Sequence, residues 1–154
     1  MNESTIQHLL SKHPATKKFF KGTFAIDEVK NIKLKPKSIY IINLSKRATR
    51  GTHWVLLCTS EGNLVIYFDS SGEPAHSLEL KTLLQEHPLY LFNSELIQHP
   101  LSDSCGHFCC LFALYFAQNK TLFESRRIFS KNLEQNEKII QEEFWTHFKQ
   151  FLEV

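Results

Sequence analysis

Residues 53–70 read HWVLLCTSEGNLVIYFDS and contain two apolar runs separated by Glu61-Gly62. Both runs are rich in β-branched and aromatic residues, and a glycine at the break is typical of a turn between paired strands. The stretch therefore predicts a β-hairpin formed by strands 53–60 and 63–70.

Strand and helix patterns on both sides of this hairpin extend the prediction to the whole chain. An S-T-I-Q capping box at Ser4–Gln7 predicts a short helix that Pro14 closes, followed by a second short helix or irregular stretch to Phe24. Further strands are predicted at 38–44 and 89–94, and further helices at 77–87, 105–118, 121–131 and 134–152. Helix 77–87 carries an apolar stripe of Leu78, Leu80, Leu83 and Leu84. With no repeat or linker, we predict one α+β domain over residues 1–154, its sheet in the middle of the chain.

Composition limits the class of protein. The chain has 154 residues, of which 42% are hydrophobic and 22% charged, and a domain of this size can bury a core without disulfides. Three of the four cysteines lie within six positions, which does not suit a framework that closes long loops. No signal peptide and no apolar run of membrane-spanning length is evident. We therefore predict a non-secreted protein in a reducing, intracellular setting, without a membrane span.

Charge is unevenly distributed along the chain. Residues 1–50 hold eleven Lys and Arg against three acids, and the remainder holds seven against thirteen. A basic loop at 30–37 contributes four of these lysines, which are Lys30, Lys33, Lys35 and Lys37. Such clusters bind a polyanion such as DNA by releasing condensed counterions. The alternative, which this feature alone favours, is an ordinary solvated lysine-rich face.

Residues 98–116, QHPLSDSCGHFCCLFALYF, raise the question of a reactive thiol. Cys105 is expected at a helix N-terminus, where unpaired backbone N–H groups and the helix dipole lower a thiol pKa. Gly106, which has no Cβ, would let a substrate approach closely. Cys109 and Cys110 lie one turn further along an apolar helix and are expected to be small buried residues.

A thiolate nucleophile needs a proton partner, an orienting group and an oxyanion donor. His53 opens a strand and Asp69 ends the next one, so the two can meet at one end of the hairpin. Gln98 can supply an amide donor beside the Cys105 backbone N–H. Each of these residues has an ordinary structural explanation on its own, and only their convergence favours catalysis. The histidines expected on the surface instead are His8, His13, His87 and His147, and His107 is expected to face away from Cys105.

The motifs G-T-H-W, Y-F-D-S-S-G and Q-x6-C-G-H-F-C-C, in this order, resemble the adenovirus maturation protease (adenain) family. The similarity runs roughly from Phe19 to Phe116. It implies a mixed β-sheet flanked by helices, with a papain-like site in a different chain order. It also implies His53 as base, Asp69 as its acidic partner, Gln98 as oxyanion-hole donor and Cys105 as nucleophile. Gly106 and Trp54 would then line the oxyanion hole or contact the substrate backbone.

Function follows from the same resemblance. It implies a viral maturation cysteine endopeptidase that cleaves capsid or core precursors in the virion and the host cell interior, from a virophage or virus-like mobile element. No cofactor would be required, although adenain is activated by DNA and by a disulfide-tethered viral peptide. Residues 59–104 contain no cysteine for that tether.

Three alternatives remain open from the sequence. SUMO-deconjugating proteases of the same superfamily share the His-Trp and Tyr-Phe-Asp-Ser motifs, and aspartate is their usual acid, but their glutamine lies six rather than seven residues before the cysteine. A zinc module would use Cys105, His107, Cys109 and Cys110, whose spacing within one helix does not suit a structural zinc site. The third alternative is a catalytically inactive interaction domain of the same fold. Such a domain would not need residues capable of catalysis at positions 53, 69, 98 and 105, all of which this sequence has.

Overall fold

The computed structural model describes residues 1–48, 53–62, 64–87 and 89–152. Its elements, in chain order, are α1 Glu3–Lys12, β1 Phe20–Ala25, a 3-10 helix Ile26–Asn31, β2 Ser38–Asn43, β3 Trp54–Thr59, β4 Val65–Phe68, α2 Leu78–Gln85, β5 Tyr90–Phe92, α3 Cys105–Ala117, α4 Leu122–Arg126 and α5 Leu133–Leu152. The predicted α+β class is confirmed. None of the helices in the described ranges has both the length and the apolar character needed to cross a membrane.

The five strands form one sheet in the order β1-β2-β3-β4-β5. The two outer pairs are parallel, while β2–β3 and β3–β4 are antiparallel, so the sheet is mixed as the resemblance implied. The predicted hairpin is β3–β4, with Leu56 opposite Phe68. Asn63, where its second strand was predicted to start, lies outside the described residues, as do Gly51 and Thr52 of the G-T-H-W motif.

Both faces of the sheet are covered. On one face lie α1, α3 and α5, packed against residues such as Leu56 and Cys58 of β3. On the other face lie α2 and the 3-10 helix, packed against Val55 and Leu57 of the same strand. Since side chains alternate between the faces of a strand, burial on both sides accounts for the almost unbroken apolar run in β3.

The candidate functional residues meet at one end of the sheet because of this topology. Strand β3 begins at Trp54 and its antiparallel neighbour β4 ends at Phe68, so the residues just outside both strands lie at the same edge. Helix α3 begins at that edge and runs back across the sheet, where the ring of Phe112 stacks on Phe68 at a centroid distance of 3.9 Å. Residues 53, 69 and 105 are thus brought together.

The stretch up to Phe24 was predicted to be helical or irregular, and for residues 20–24 this prediction is wrong. They belong to β1, which pairs in parallel with β2, with an irregularity between Phe20 and Gly22. The segment FKGTFA contains a lysine and a glycine, so its local strand signal is weak. Its conformation is decided by hydrogen bonding to a strand more than ten residues away, which a local pattern does not reveal.

Two details of the helices also differ from the predictions. The N-cap of α1 is Asn2, whose side chain accepts a hydrogen bond from the Thr5 N–H at 2.8 Å, and not Ser4. Leu78 of α2 is 76% exposed, whereas the other three leucines of the predicted stripe are buried. Leu78 differs because it precedes Leu80 by two residues, or about 200° around the helix axis, and therefore lies on the opposite side of the helix.

Candidate active site

Cys105 is the first residue of α3 and is buried, with 7% of its surface exposed. Burial alone would raise the pKa of its thiol. A hydrogen bond with the His53 side chain and backbone N–H bonds from Trp54 and Gly106 outweigh burial and lower the pKa below its ordinary value. The site therefore favours a thiolate at Cys105.

His53 connects this thiol to a carboxylate. Its Nε2 lies 2.7 Å from Oδ1 of Asp69, and the side chain of Asp69 is only 5% exposed. Burial by itself lowers the pKa of His53, but hydrogen bonds to Asp69 and Cys105 and their charges raise it to about 10. Since Nε2 faces Asp69, the second ring nitrogen, Nδ1, is left for the thiol. The geometry favours an imidazolium between two anionic groups.

A tight turn after β4 holds Asp69 in place. Its Oδ1 also accepts the Ser71 N–H at 2.8 Å, and its carbonyl oxygen accepts the Gly72 N–H at 2.8 Å. Gly72 has a φ of +74°, and a Cβ there would lie 2.5 Å from the carbonyl carbon of Glu95. Glycine is therefore required at the last position of the Y-F-D-S-S-G motif, because other residues disfavour this backbone conformation and because a side chain would collide with the backbone of Glu95.

Gln98 is buried beside the same turn, with 6% of its surface exposed. Its Oε1 accepts a hydrogen bond from the Ser70 hydroxyl at 2.5 Å, and its Nε2 donates to the Ser102 carbonyl oxygen at 3.0 Å. Nε2 carries two hydrogens, and the bond to Ser102 uses one. Ser70, which orients this amide, was not among the predicted site residues, although its position next to Asp69 was a usable signal.

The first residues of the chain pack against Trp54 and Gly106. The indole N–H of Trp54 donates to the carbonyl oxygen of Met1 at 3.2 Å. A Cβ on Gly106 would lie 3.1 Å from Cβ of Met1, so the missing side chain makes room for Met1. Close approach of a substrate at Gly106 stays a prediction. A cavity of about 520 Å³ lies beside Trp54 and is also lined by Glu3 and Arg47.

Of the four lysines of the predicted basic loop, Lys35 and Lys37 come directly before β2 and lie at the end of that strand away from Trp54. Lys30 belongs to the 3-10 helix, Lys33 and Lys35 are exposed in the loop, and Lys37 forms an ion pair with Glu61 at 3.6 Å. Because Asn43 at the far end of β2 pairs with Trp54, the length of the strand separates Lys37, which precedes β2, from the site by roughly 17 Å.

The other cysteines and histidines of the motif region do not join the site. Cys109 and Cys110 are fully buried, and burial raises the pKa of both thiols. The ring of His107 packs edge-on against Phe144 at 4.6 Å, on the α5 side of α3. Among the described residues, no three His, Cys, Asp or Glu side chains are grouped to hold a metal ion.

Of the four histidines expected on the surface, only His8 is exposed, and His13, His87 and His147 are half-buried. The ring of His13 packs against Phe148 and Phe151 of α5, with centroid distances of 5.4 and 5.3 Å. Burial lowers its pKa. The prediction for His13 failed because it considered only the polar residues around it in sequence. In the structure, helix α5 covers the C-terminal end of α1, where His13 lies.

Known proteins share this architecture. No protein-family model matches the chain. Among solved structures, the ASFV pS273R protease superposes with a TM-score of 0.59 and 13% identity, over 96% of this chain and 66% of its own length. ChlaDub1 from Chlamydia trachomatis superposes with a TM-score of 0.55 and 13% identity, over 99% of this chain and 80% of its own. The central domain of the uncharacterized Lpg1148 protein from Legionella pneumophila gives 0.55 and 12%, over 100% of this chain and 98% of its own.

These superpositions establish the fold of the chain. The chain shares the fold of the ASFV pS273R protease and of ChlaDub1, which confirms the mixed sheet flanked by helices that the motifs implied. The chain spans slightly less than two thirds of the ASFV protease.

Proposed function

We propose that the protein is a cysteine endopeptidase in which Cys105, His53 and Asp69 form the catalytic triad. The observation that carries this proposal is the 2.7 Å contact between Nε2 of His53 and the buried Asp69 carboxylate, with the same imidazole interacting with the Cys105 thiol. The lowered pKa of the thiol and the raised pKa of the imidazole together favour the thiolate–imidazolium form that a cysteine nucleophile needs.

In the first half of the reaction, the Cys105 thiolate attacks the carbonyl carbon of the scissile peptide bond. A bond forms between Sγ and that carbon, and the carbonyl electrons move onto the oxygen. The second N–H of Gln98 and backbone N–H groups at the start of α3 stabilise this oxyanion. The carbon–nitrogen bond then breaks, and the His53 imidazolium gives its proton to the leaving amine.

In the second half, His53 is neutral and acts as a base. It takes a proton from water, which attacks the thioester carbon. The carbon–sulfur bond breaks, the acid product leaves and the thiolate is restored beside a protonated His53. Asp69 keeps the imidazole oriented through both halves, because its carboxylate accepts the Nε2–H throughout.

The proposed substrates are capsid or core precursor proteins of a virus or virus-like element, cut in the virion or the host cell. Two observations support this substrate class: the adenoviral seven-residue spacing from Gln98 to Cys105 followed by C-G-H-F-C-C, and a fold shared with a viral protease. The cavity beside Trp54, the residue that follows His53, has room for a segment of polypeptide.

The direct test incubates the wild-type protein and its Cys105→Ala variant with co-encoded capsid precursors and maps new protein termini by mass spectrometry. New termini in the wild-type reaction that are missing from the Cys105→Ala reaction are expected. Cleavage that survives the substitution would refute the nucleophile assignment.

A ubiquitin-like or SUMO-specific isopeptidase is the second candidate, and one observation favours it. The residue 2.7 Å from His53 is an aspartate, the acid typical of the deconjugating proteases, where adenain often has glutamate. Cleavage of ubiquitin-like fusions together with intact capsid precursors would identify this activity.

Activation is part of the proposal. No bound cofactor is needed by the residues above, and DNA or a viral peptide would act as an activator. The exposed lysines of the loop before β2 support the choice of DNA.

A further inference from the structure

Hydrogen bonds from helix α5, which lies outside residues 98–116, hold the backbone on both sides of Gln98. Gln98 lies in the segment between β5 and α3, which has no regular secondary structure around it. Its side chain is oriented by Ser70 and Ser102. Its two flanking peptide groups are bound by consecutive residues of α5, which follow it by almost forty positions.

The peptide group before Gln98 is bound by Asn136. The Nδ2 of Asn136 donates to the Ile97 carbonyl oxygen at 3.0 Å and to the Ser130 carbonyl oxygen at 2.7 Å, and its Oδ1 accepts the Ser130 N–H at 2.9 Å. Asn136 has no exposed surface. A buried amide with these three bonds has a single orientation, so it fixes the carbonyl of Ile97.

The peptide group after Gln98 is bound by Glu137. Its Oε2 accepts the His99 N–H at 3.1 Å, and its two oxygens accept the Ser104 hydroxyl at 2.9 and 3.2 Å. Ser104 is buried and immediately precedes Cys105. One carboxylate therefore spans the segment from the residue after Gln98 to the residue before the candidate nucleophile.

We propose that Asn136 and Glu137 are positioning residues for the oxyanion donor Gln98, an inference that rests on the proposed function. They set where the Gln98 amide lies relative to Cys105 by holding both ends of the segment that joins them. A displacement of about 1 Å in such a group can cost 100-fold in rate. Neither residue is needed for the His53–Asp69 contact, which is made by β3 and the turn after β4.

Because Glu137 supports Gln98 and not the His53–Asp69 pair, its substitution should affect only reactions that form an oxyanion. Acylation of Cys105 by 4-nitrophenyl acetate passes through an oxyanion, whereas alkylation by iodoacetamide displaces iodide at a saturated carbon and forms none. For Glu137→Ala we expect the acylation rate to fall between roughly tenfold and 100-fold while the alkylation rate and its pH profile stay unchanged. The matched control is Glu142→Ala, which removes an exposed carboxylate from the same helix.

A double-mutant cycle separates positioning from general destabilisation. If Glu137 acts through Gln98, Glu137→Ala has no further effect on acylation in a Gln98→Ala background. Glu137→Gln, which keeps one acceptor oxygen, should lose less rate than Glu137→Ala and guards against a variant that does not fold. Additive losses, or equal losses of acylation and alkylation, would overturn the inference and leave the proposed function intact. A wild-type protein without acylation at Cys105 would overturn the proposed function, and this inference with it.

Discussion

Nε2 of His53 lies 2.7 Å from Oδ1 of Asp69, and the two residues are brought together by the antiparallel pairing of β3 with β4. The imidazole faces a buried carboxylate on one side and the Cys105 thiol on the other, which raises its pKa to about 10.

Thiol reactivity is the simplest measure of the pair. Because the pKa of Cys105 is lowered largely by His53, iodoacetamide should label Cys105 stoichiometrically at mildly acidic pH. The His53→Ala variant should need a more alkaline pH for the same rate. Labelling is followed by mass spectrometry, and Cys109 and Cys110 serve as internal controls because burial raises the pKa of both. Equal rates in the two proteins at mildly acidic pH would contradict an ion-paired thiolate.

Stability should depend on pH through His53. Its folded-state pKa of about 10 exceeds the ordinary value of 6.5, so the folded protein binds this proton more tightly than the unfolded chain. The resulting stabilisation is fully present below about pH 6.5 and is lost as the pH rises to about 10. Urea unfolding of the wild-type and His53→Ala proteins should show the free-energy difference between them shrinking over this range. A difference that is constant with pH would rule out the raised pKa.

Substitutions of Asp69 should produce graded effects. Asp69→Asn keeps an acceptor oxygen for Nε2–H but removes the charge, so the pKa of His53 should fall and the alkaline limb of the activity profile should move to lower pH. Asp69→Ala also removes the orientation of the ring, and we expect a loss of roughly 100-fold or more in kcat/KM. Both are read from pH–rate profiles. An Asn variant with an unmoved alkaline limb would show that the carboxylate charge does not act on His53.

The turn that carries Asp69 should not tolerate a larger residue than glycine. Gly72→Ala places a Cβ 2.5 Å from the backbone of Glu95 at a φ of +74°, so we expect at least about 2 kcal/mol of lost stability. Gly62→Ala is the matched control, since a Cβ there meets nothing within 4 Å. Thermal or urea unfolding measures both, and similar stabilities for the two variants would contradict the role given to Gly72.

The basic loop offers a test of the DNA hypothesis. Replacing Lys30, Lys33 and Lys35 with glutamate should weaken polynucleotide binding at low salt and reduce the slope of log affinity against log salt, by about 0.9 for each duplex phosphate that the variant no longer neutralises. Lys138→Glu, on the exposed side of α5, is the control. Fluorescence anisotropy with a labelled duplex measures the slope. A salt response that is already flat in the wild-type protein would refute the hypothesis.

Much of the fold was readable from local patterns. The β3–β4 hairpin, the strands around it and the helices from Cys105 onward were predicted because each has its own periodicity and boundary residues. Strand β1 was not, since a segment with lysine and glycine becomes a strand only by pairing with β2. The environment of His13 was misjudged for the same reason, because the residues that bury it belong to α5.

The sequence by itself determined the chemical types of the site residues and their order along the chain: a thiol at a helix start, a histidine and an aspartate at the ends of two strands, and a glutamine seven residues before the cysteine. Only the tertiary structure decided the distances between them, the contacts that raise the pKa of His53 and lower the pKa of Cys105, and the hydrogen bonds from Asn136 and Glu137 to the peptide groups that flank Gln98. The physical reason is that hydrogen bonds and desolvation act over a few ångströms in space, between segments that can be tens of residues apart.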